Sequence, residues 1–290
     1  LYYELKCKKI KLKDFYPIWI DEIVSVDNKF ATRHRYEMDF NLYISPAIGN
    51  YYMDEVDFQV INDLKVKLSR QKAQKKSSML SPKTVNNVLG TLSKMFSDSI
   101  RKGYVRYNPV SVVKRLKVIH QEMRYLSEKE IQRFLSFCYE KDVWEKYFYH
   151  AMLLTGCRLG ELVTLKKNQI FFENNLLIIN RIYCSKEKVI KEGTTKSGKI
   201  RNFPIGRELR NVLKASMDRN PNSEFVFPEP HDEMINYKTV SGARLRTIFK
   251  HAEIKFVNIH GFRHTFAAQY LMNNGNMYDL KQLLGHSDFK

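Results

Sequence analysis

The chain has 290 residues, with 49 Lys+Arg against 31 Asp+Glu and a formal net charge of +18 at pH 7; 43% of its residues are hydrophobic and 13% aromatic. That apolar content excludes a chain disordered by composition, and the charge excess favours a polyanionic partner, because each phosphate neutralised releases counterions. No apolar run reaches the ~18 residues of a membrane span, no signal-peptide pattern opens the chain, and the four cysteines (Cys7, Cys138, Cys157 and Cys184) form no C-x-x-C pair. We therefore expect a cytoplasmic protein with no disulfide framework, zinc site or membrane partner.

Residues 1–10 are basic and read either as the end of an upstream module or as a tail. Leu12, Phe15, Trp19, Ile20 and Ile23 fall on one stripe and predict a helix over 11–24. Thr32 is expected to cap a second helix with Tyr36, Phe40, Leu42 and Tyr43 on its apolar side. Asp57 is expected to cap a third, with Val60, Ile61, Leu64 and Leu68 at helical spacing. Residues 71–80 read as a polar loop. Ser81-Pro82 then opens a longer helix whose apolar face is Val85, Val88, Leu89, Leu92, Phe96 and Ile100, and Gly103 stops it. Lys83, Asn87 and Lys94 project together from its other face and are candidate DNA contacts: asparagine pairs with adenine and lysine meets phosphate. Residues 11–103 thus read as one helical domain, and the aperiodic stretch 104–126 as a linker.

A second domain, 127–290, begins with a capping box, Ser127 to Glu130. Helices are expected over 127–139 and 144–155, followed by TGCRLGEL (155–162) and a helical turn. NNLLIIN (174–180) and IRNFPI (200–205) read as strands with a loop or hairpin between them, and EFVFP (224–228) as a short buried strand. Helices over 238–252, 260–273 and 277–284 follow. The expected fold class is mainly α with a small antiparallel β-sheet.

Arg158, Lys196, His260, Arg263 and His286 stand at element boundaries, where a rigid scaffold presents side chains to a ligand. Taken singly each has an ordinary structural reading. Together two arginines, a lysine and two histidines form a polycation suited to a phosphodiester, since planar guanidinium groups grip two oxygens at once. His260 and His264 also stand at the i, i+4 spacing of two zinc ligands, the mark of a metallonuclease. No H-E-x-x-H glutamate or acidic third ligand accompanies them, and Arg263 between them repels a cation.

TGCRLGEL, TKSGKIRNFPI (195–205), HGFRHTFAA (260–268) and LLGHS (283–287) resemble, in that order, the four boxes of the tyrosine recombinases, the family of phage integrases and Xer-type resolvases. The resemblance covers about 110–290; the helical domain is similar to the family's core-binding domain only in pattern and in its YNP ending (107–109). It implies a helical core-binding domain followed by a mixed α+β catalytic domain. It also implies a site-specific recombinase that cuts and rejoins DNA through a 3′-phosphotyrosyl intermediate, without cofactor or metal. Arg158 and Arg263 would stabilise the transition state, Lys196 (or Lys199) would protonate the leaving oxygen, His260 would move a proton, His286 would bond a phosphate oxygen, and Glu161 would orient Arg158. The partners implied are a double-stranded recombination site and, for the full-length protein, other protomers in a tetrameric synapse. The family's nucleophilic tyrosine lies roughly nine residues beyond the position of His286, so it is not expected within this chain, which should bind DNA without cleaving it. Tyr270 and Tyr278 precede His286 and are not assigned that role. The alternative is a non-catalytic DNA-binding protein derived from a recombinase.

Overall fold

The apolar stripes of the sequence assemble into two separate cores. The computed structural model describes residues 9–73, 78–119, 122–193, 200–229 and 233–285, in two units, Leu1–Gln121 and Glu122–Lys290. Among the described residues no helix is long and apolar enough to cross a membrane.

In the first unit, α1 (Leu12–Trp19) runs on through a π-helical segment, Ile20–Val24. The second helix, α2 (Phe30–Asp39), likewise passes into a π segment, Phe40–Ile44. It starts two residues before Thr32: Lys29 has the extended backbone of a cap, so Thr32 lies inside the first turn, its amide already bonded to the Lys29 carbonyl at 2.8 Å. The third helix, α3 (Phe58–Ser69), is capped by Asp57, which accepts from the Val60 amide. The longest, α4 (Pro82–Arg101), is capped by Ser81, and Gly103 follows it with φ +76°. Val85, Val88, Leu89, Leu92 and Phe96 of α4 are fully buried, each contributing about 1.5–3 kcal/mol. Ile100 is exposed instead, because Ser99 takes the inward position and bonds the Phe96 carbonyl. Two carboxylates are buried in this unit, Asp39, which accepts from the Thr91 hydroxyl at 2.6 Å, and Asp98. The Asp98 carboxylate accepts from Trp19 Nε1 (2.7 Å), Lys94 Nζ (2.6 Å) and Arg101 Nη2 (2.9 Å).

Part of the expected linker is core. Val105, Val110 and Val113 are buried in the first unit, and Leu126 in the second. Asn108 of the YNP sequence fastens this segment to α4, its Nδ2 donating to the Ser93 carbonyl and to the Ser93 and Ser97 hydroxyls at 2.9–3.1 Å.

The second unit is helical around small antiparallel sheets. Helix α5 (Glu128–Glu140) opens with the Ser127–Glu130 capping box, and α6 (Lys146–Thr155) and the one-turn α7 (Leu159–Leu162) follow. Strands β1 (Ile170–Phe171), β2 (Leu176–Ile179) and β5 (Arg201–Pro204) form one sheet in the order β1-β2-β5, with Leu177 opposite Phe203 and Ile179 opposite Arg201. Strands β3 (Arg181–Cys184) and β4 (Val189–Glu192) form a separate hairpin in the segment that reads as loop or hairpin. EFVFP makes only isolated bridges, Lys166 to Phe225 and Pro228 to Met234, although Val226 and Phe227 are buried as expected. Helix α8 (Arg207–Arg219) comes next. The helix expected over 238–252 is broken at Gly242 into α9 (Tyr237–Ser241) and α10 (Ala243–His251), and α11 (Ile259–Met272) and α12 (Met277–Leu284) close the unit. Phe134, Tyr149, Phe249 and Phe262 pack ring against ring at its centre, with centroids 4.9–6.1 Å apart.

Candidate active site

Two helix ends and two helix starts meet at a small cavity. Helix α6 ends at Gly156 (φ +58°), a left-handed residue where a Cβ would stand 2.4 Å from Phe266 Cδ1. Helix α12 ends at Gly285 (φ +65°), where a Cβ would meet Arg201 Nη1 at 2.7 Å. Glycine alone suits both positions. The carbonyls left over at these C-termini, where the helix dipole is negative, are taken by guanidinium groups. Arg263 on α11 donates to the Gly156 carbonyl (2.8 Å) and to the Leu284 carbonyl (2.5 Å). Arg158, which precedes α7, donates to the Gly285 carbonyl at 3.1 Å.

A single carboxylate organises the cluster. Glu161 in α7 is buried; it accepts from the Arg158 amide (2.9 Å) and Nη1 (2.9 Å), and from Arg201 Nη2 (2.7 Å) and Nη1 (3.2 Å). Burial raises its carboxyl pKa, but Arg201, the Arg158 amide and the Arg158 charge outweigh that and hold it below the ordinary carboxylate value. Two guanidinium groups thus share one carboxylate, and a third, Arg263, feels the charges of all three. Burial, followed by the Arg158 charge, lowers Arg263 to about 10, the direction expected where positive charge is in surplus.

Arg158, Arg263 and His260 line one cavity of about 220 Å³, together with Tyr183 and Ser185 from the β3–β4 hairpin and Tyr237 from α9. His260, exposed in the first turn of α11, lies edge-on to His264 with ring centroids 4.9 Å apart. Burial and Arg263 push the His264 imidazole below its usual pKa, and its buried Nε2 has no hydrogen-bond partner among the described residues. Among the described residues no group of three or more His, Cys, Asp and Glu comes together that could hold a metal. Lys196, Lys199 and His286 lie outside the described residues. Tyr270 packs on Phe266 (6.0 Å) beside Gly275, and Tyr278 is exposed.

The family model described as "Phage integrase family" matches residues 124–290, and "Phage integrase SAM-like domain" matches 11–118. The chain belongs to the phage integrase family. It is 24% identical to the ICEBs1 integrase of Bacillus subtilis, over 89% of this chain and 72% of that protein. It is equally 24% identical to a XerC-like tyrosine recombinase of Caldanaerobacter subterraneus, over 96% and 77%. Its fold is similar to that of the Tn1549 transposon integrase solved with a circular intermediate DNA, with TM-score 0.81, 19% identity, and coverage of 96% and 92%.

Within this phage integrase scaffold Arg201 is the site residue that sequence reasoning passed over. It stands in the second box, among lysines, and reads as one more basic residue of a hairpin. The signal was strand parity: Arg201 alternates with Phe203 and Ile205, and all three are buried. On the first unit, Lys83 and Asn87 are exposed, while Lys94 is drawn onto Asp98.

Proposed function

We propose that this chain is the DNA-binding and catalytic body of a site-specific tyrosine recombinase, with 11–103 as core-binding domain and 127–290 as catalytic domain. The observation that carries the reading is the positive surplus at the cavity: Arg158 and Arg263 line it beside His260, and the one carboxylate bonded to Arg158, Glu161, is already shared with Arg201. Such a site is short of an anion, and a phosphodiester with two non-bridging oxygens supplies one. The relatives' names, integrase and tyrosine recombinase, and the DNA complexes of the structural neighbours support the same reading.

In the proposed reaction a tyrosine oxygen attacks the scissile phosphorus, the P–O5′ bond breaks, and the protein is left joined to the 3′ phosphate. Arg158 and Arg263 hold the non-bridging oxygens as charge builds on them, and His286 would add a bond there. His260 takes the tyrosine proton, and Lys196 or Lys199 gives one to the departing 5′ oxygen. Glu161 positions Arg158. The ester energy stays in the protein–DNA bond, so religation needs no nucleotide. Recombination would join several protomers on paired sites, as in the lambda integrase tetramer solved on a Holliday junction.

The test uses the full-length gene product and a duplex of its own recombination site, nicked near the cleavage point. The expected result is a covalent adduct at a 3′ phosphate that survives EDTA. Strand cleavage abolished by EDTA, with no adduct, would overturn the reading.

A further inference from the structure

Helix α4 carries a glycine for which the described residues give no internal reason. Gly90 lies in the middle of an unbroken 20-residue helix. Glycine there destabilises a helix relative to alanine, so a reason is wanted. Its φ is not positive, and a Cβ built on it meets nothing within 4 Å. Neither backbone conformation nor packing among the described residues asks for it.

Its position does suggest one. Lys83, Asn87, Gly90, Lys94 and Arg101 follow one another at spacings of four, three, four and seven, so they share one side of the helix. Gly90 borders a covered strip, since Asn86, Ser93 and Ser97 also lie four, three and seven residues from it, with Asn108 bonded to Ser93 and Ser97 and Asn86 bonded to Leu116. Gly90 itself is half-buried, but the space where its side chain would stand is empty, and Lys83 and Asn87 beside it are exposed. This side of the helix is also electropositive and partly rigid. Lys94 and Arg101 are both tied to buried Asp98, which fixes two cations with one carboxylate, and Lys83 adds a third positive charge. A cationic helix face with a gap at its middle fits a polyanion whose backbone comes close to the main chain.

Resting on the recombinase reading, we propose that Gly90 is the point of closest approach between α4 and bound duplex DNA. Its missing side chain lets a sugar–phosphate strand lie against the helix between Asn87 and Lys94. Gly90 then acts as a positioning residue by shape, and any side chain there holds the helix off the groove.

The experiment compares Gly90→Ala and Gly90→Gln with Lys83→Ala in the 290-residue chain. It reads thermal unfolding and binding to a short mixed-sequence duplex by fluorescence anisotropy. Both glycine variants are expected to raise Tm by a few degrees, since alanine and glutamine are better helix formers. They are also expected to weaken binding, with Gln worse than Ala and the Gln loss about tenfold, the scale of one groove contact. Raised stability with lower affinity is a combination that a merely structural glycine does not give. Unchanged affinity in both glycine variants, with Lys83→Ala weakened, would overturn the inference while leaving this face as the DNA contact. Unchanged affinity in all three would overturn the DNA-facing reading of α4 itself. A lowered Tm in both glycine variants would show that Gly90 serves the fold and would equally overturn it.

Discussion

Glu161 shows how much of a charged site rests on one buried residue. It accepts from the Arg158 amide and side chain, and from both terminal nitrogens of Arg201. Glu161→Gln keeps the shape and removes the charge, leaving two guanidinium groups without their counter-ion. Breaking a buried pair in this way costs about 3–5 kcal/mol, measurable by chemical denaturation. The pH dependence has a definite sign. The folded carboxyl titrates below its ordinary 4.5, so its contribution is fully present above that value and is lost as pH falls through the folded pKa. The variant should lack that component, flattening its acid limb. Arg158, Glu161 and Arg263 were legible in the sequence because glycine-punctuated boxes mark them. Arg201 was not, because a basic residue among lysines gives no sign of burial until the strand register is known. His264 was read only as a candidate zinc ligand; its pairing with His260 comes from helix geometry.

At the scale of elements, the capping signals carried most of the fold. Asp57, Ser81 and Ser127 cap the helices assigned to them, each accepting from an amide of the first turn. Thr32 misled because the helix was already formed at Phe30, and a Thr hydroxyl inside a first turn looks the same in sequence as one that caps it. Gly242 was hidden within a pattern whose apolar residues, Val240, Leu245, Ile248 and Phe249, are all buried on both sides of the break. The segment 104–116 has no period because it packs as irregular chain, held by Asn108 and buried valines instead of a ladder. The C-termini of α6 and α12 matter most for the site, since their carbonyls aim Arg263 and Arg158. Gly156→Ala forces a left-handed alanine and a contact of 2.4 Å with Phe266. It should cost about 1–3 kcal/mol and should slow cleavage by the full-length protein beyond any loss of folded material, because the Gly156 carbonyl that anchors Arg263 moves with the backbone. A variant that loses stability but keeps its specific cleavage rate would show that this anchor is not needed.

For the whole molecule, the net charge of +18 and the two cores divide the work. Each unit carries its own basic feature: a cationic helix face around Gly90 in the first, and a guanidinium-lined cavity in the second. In the proposed reaction this cavity stabilises the transition state and contributes little to holding the duplex. A guanidinium that only neutralises phosphate weakens binding and cleavage together, whereas one that acts as charge develops lowers the rate alone. The measurement is the rate of covalent adduct formation by full-length Arg158→Ala on a nicked recombination-site duplex, set beside its Kd for the same duplex at one salt concentration. A loss of about 10²–10³ in rate, with Kd changed by no more than a few-fold, is the expected outcome. Equal losses in rate and affinity, or a rate that survives the substitution, would contradict the claim.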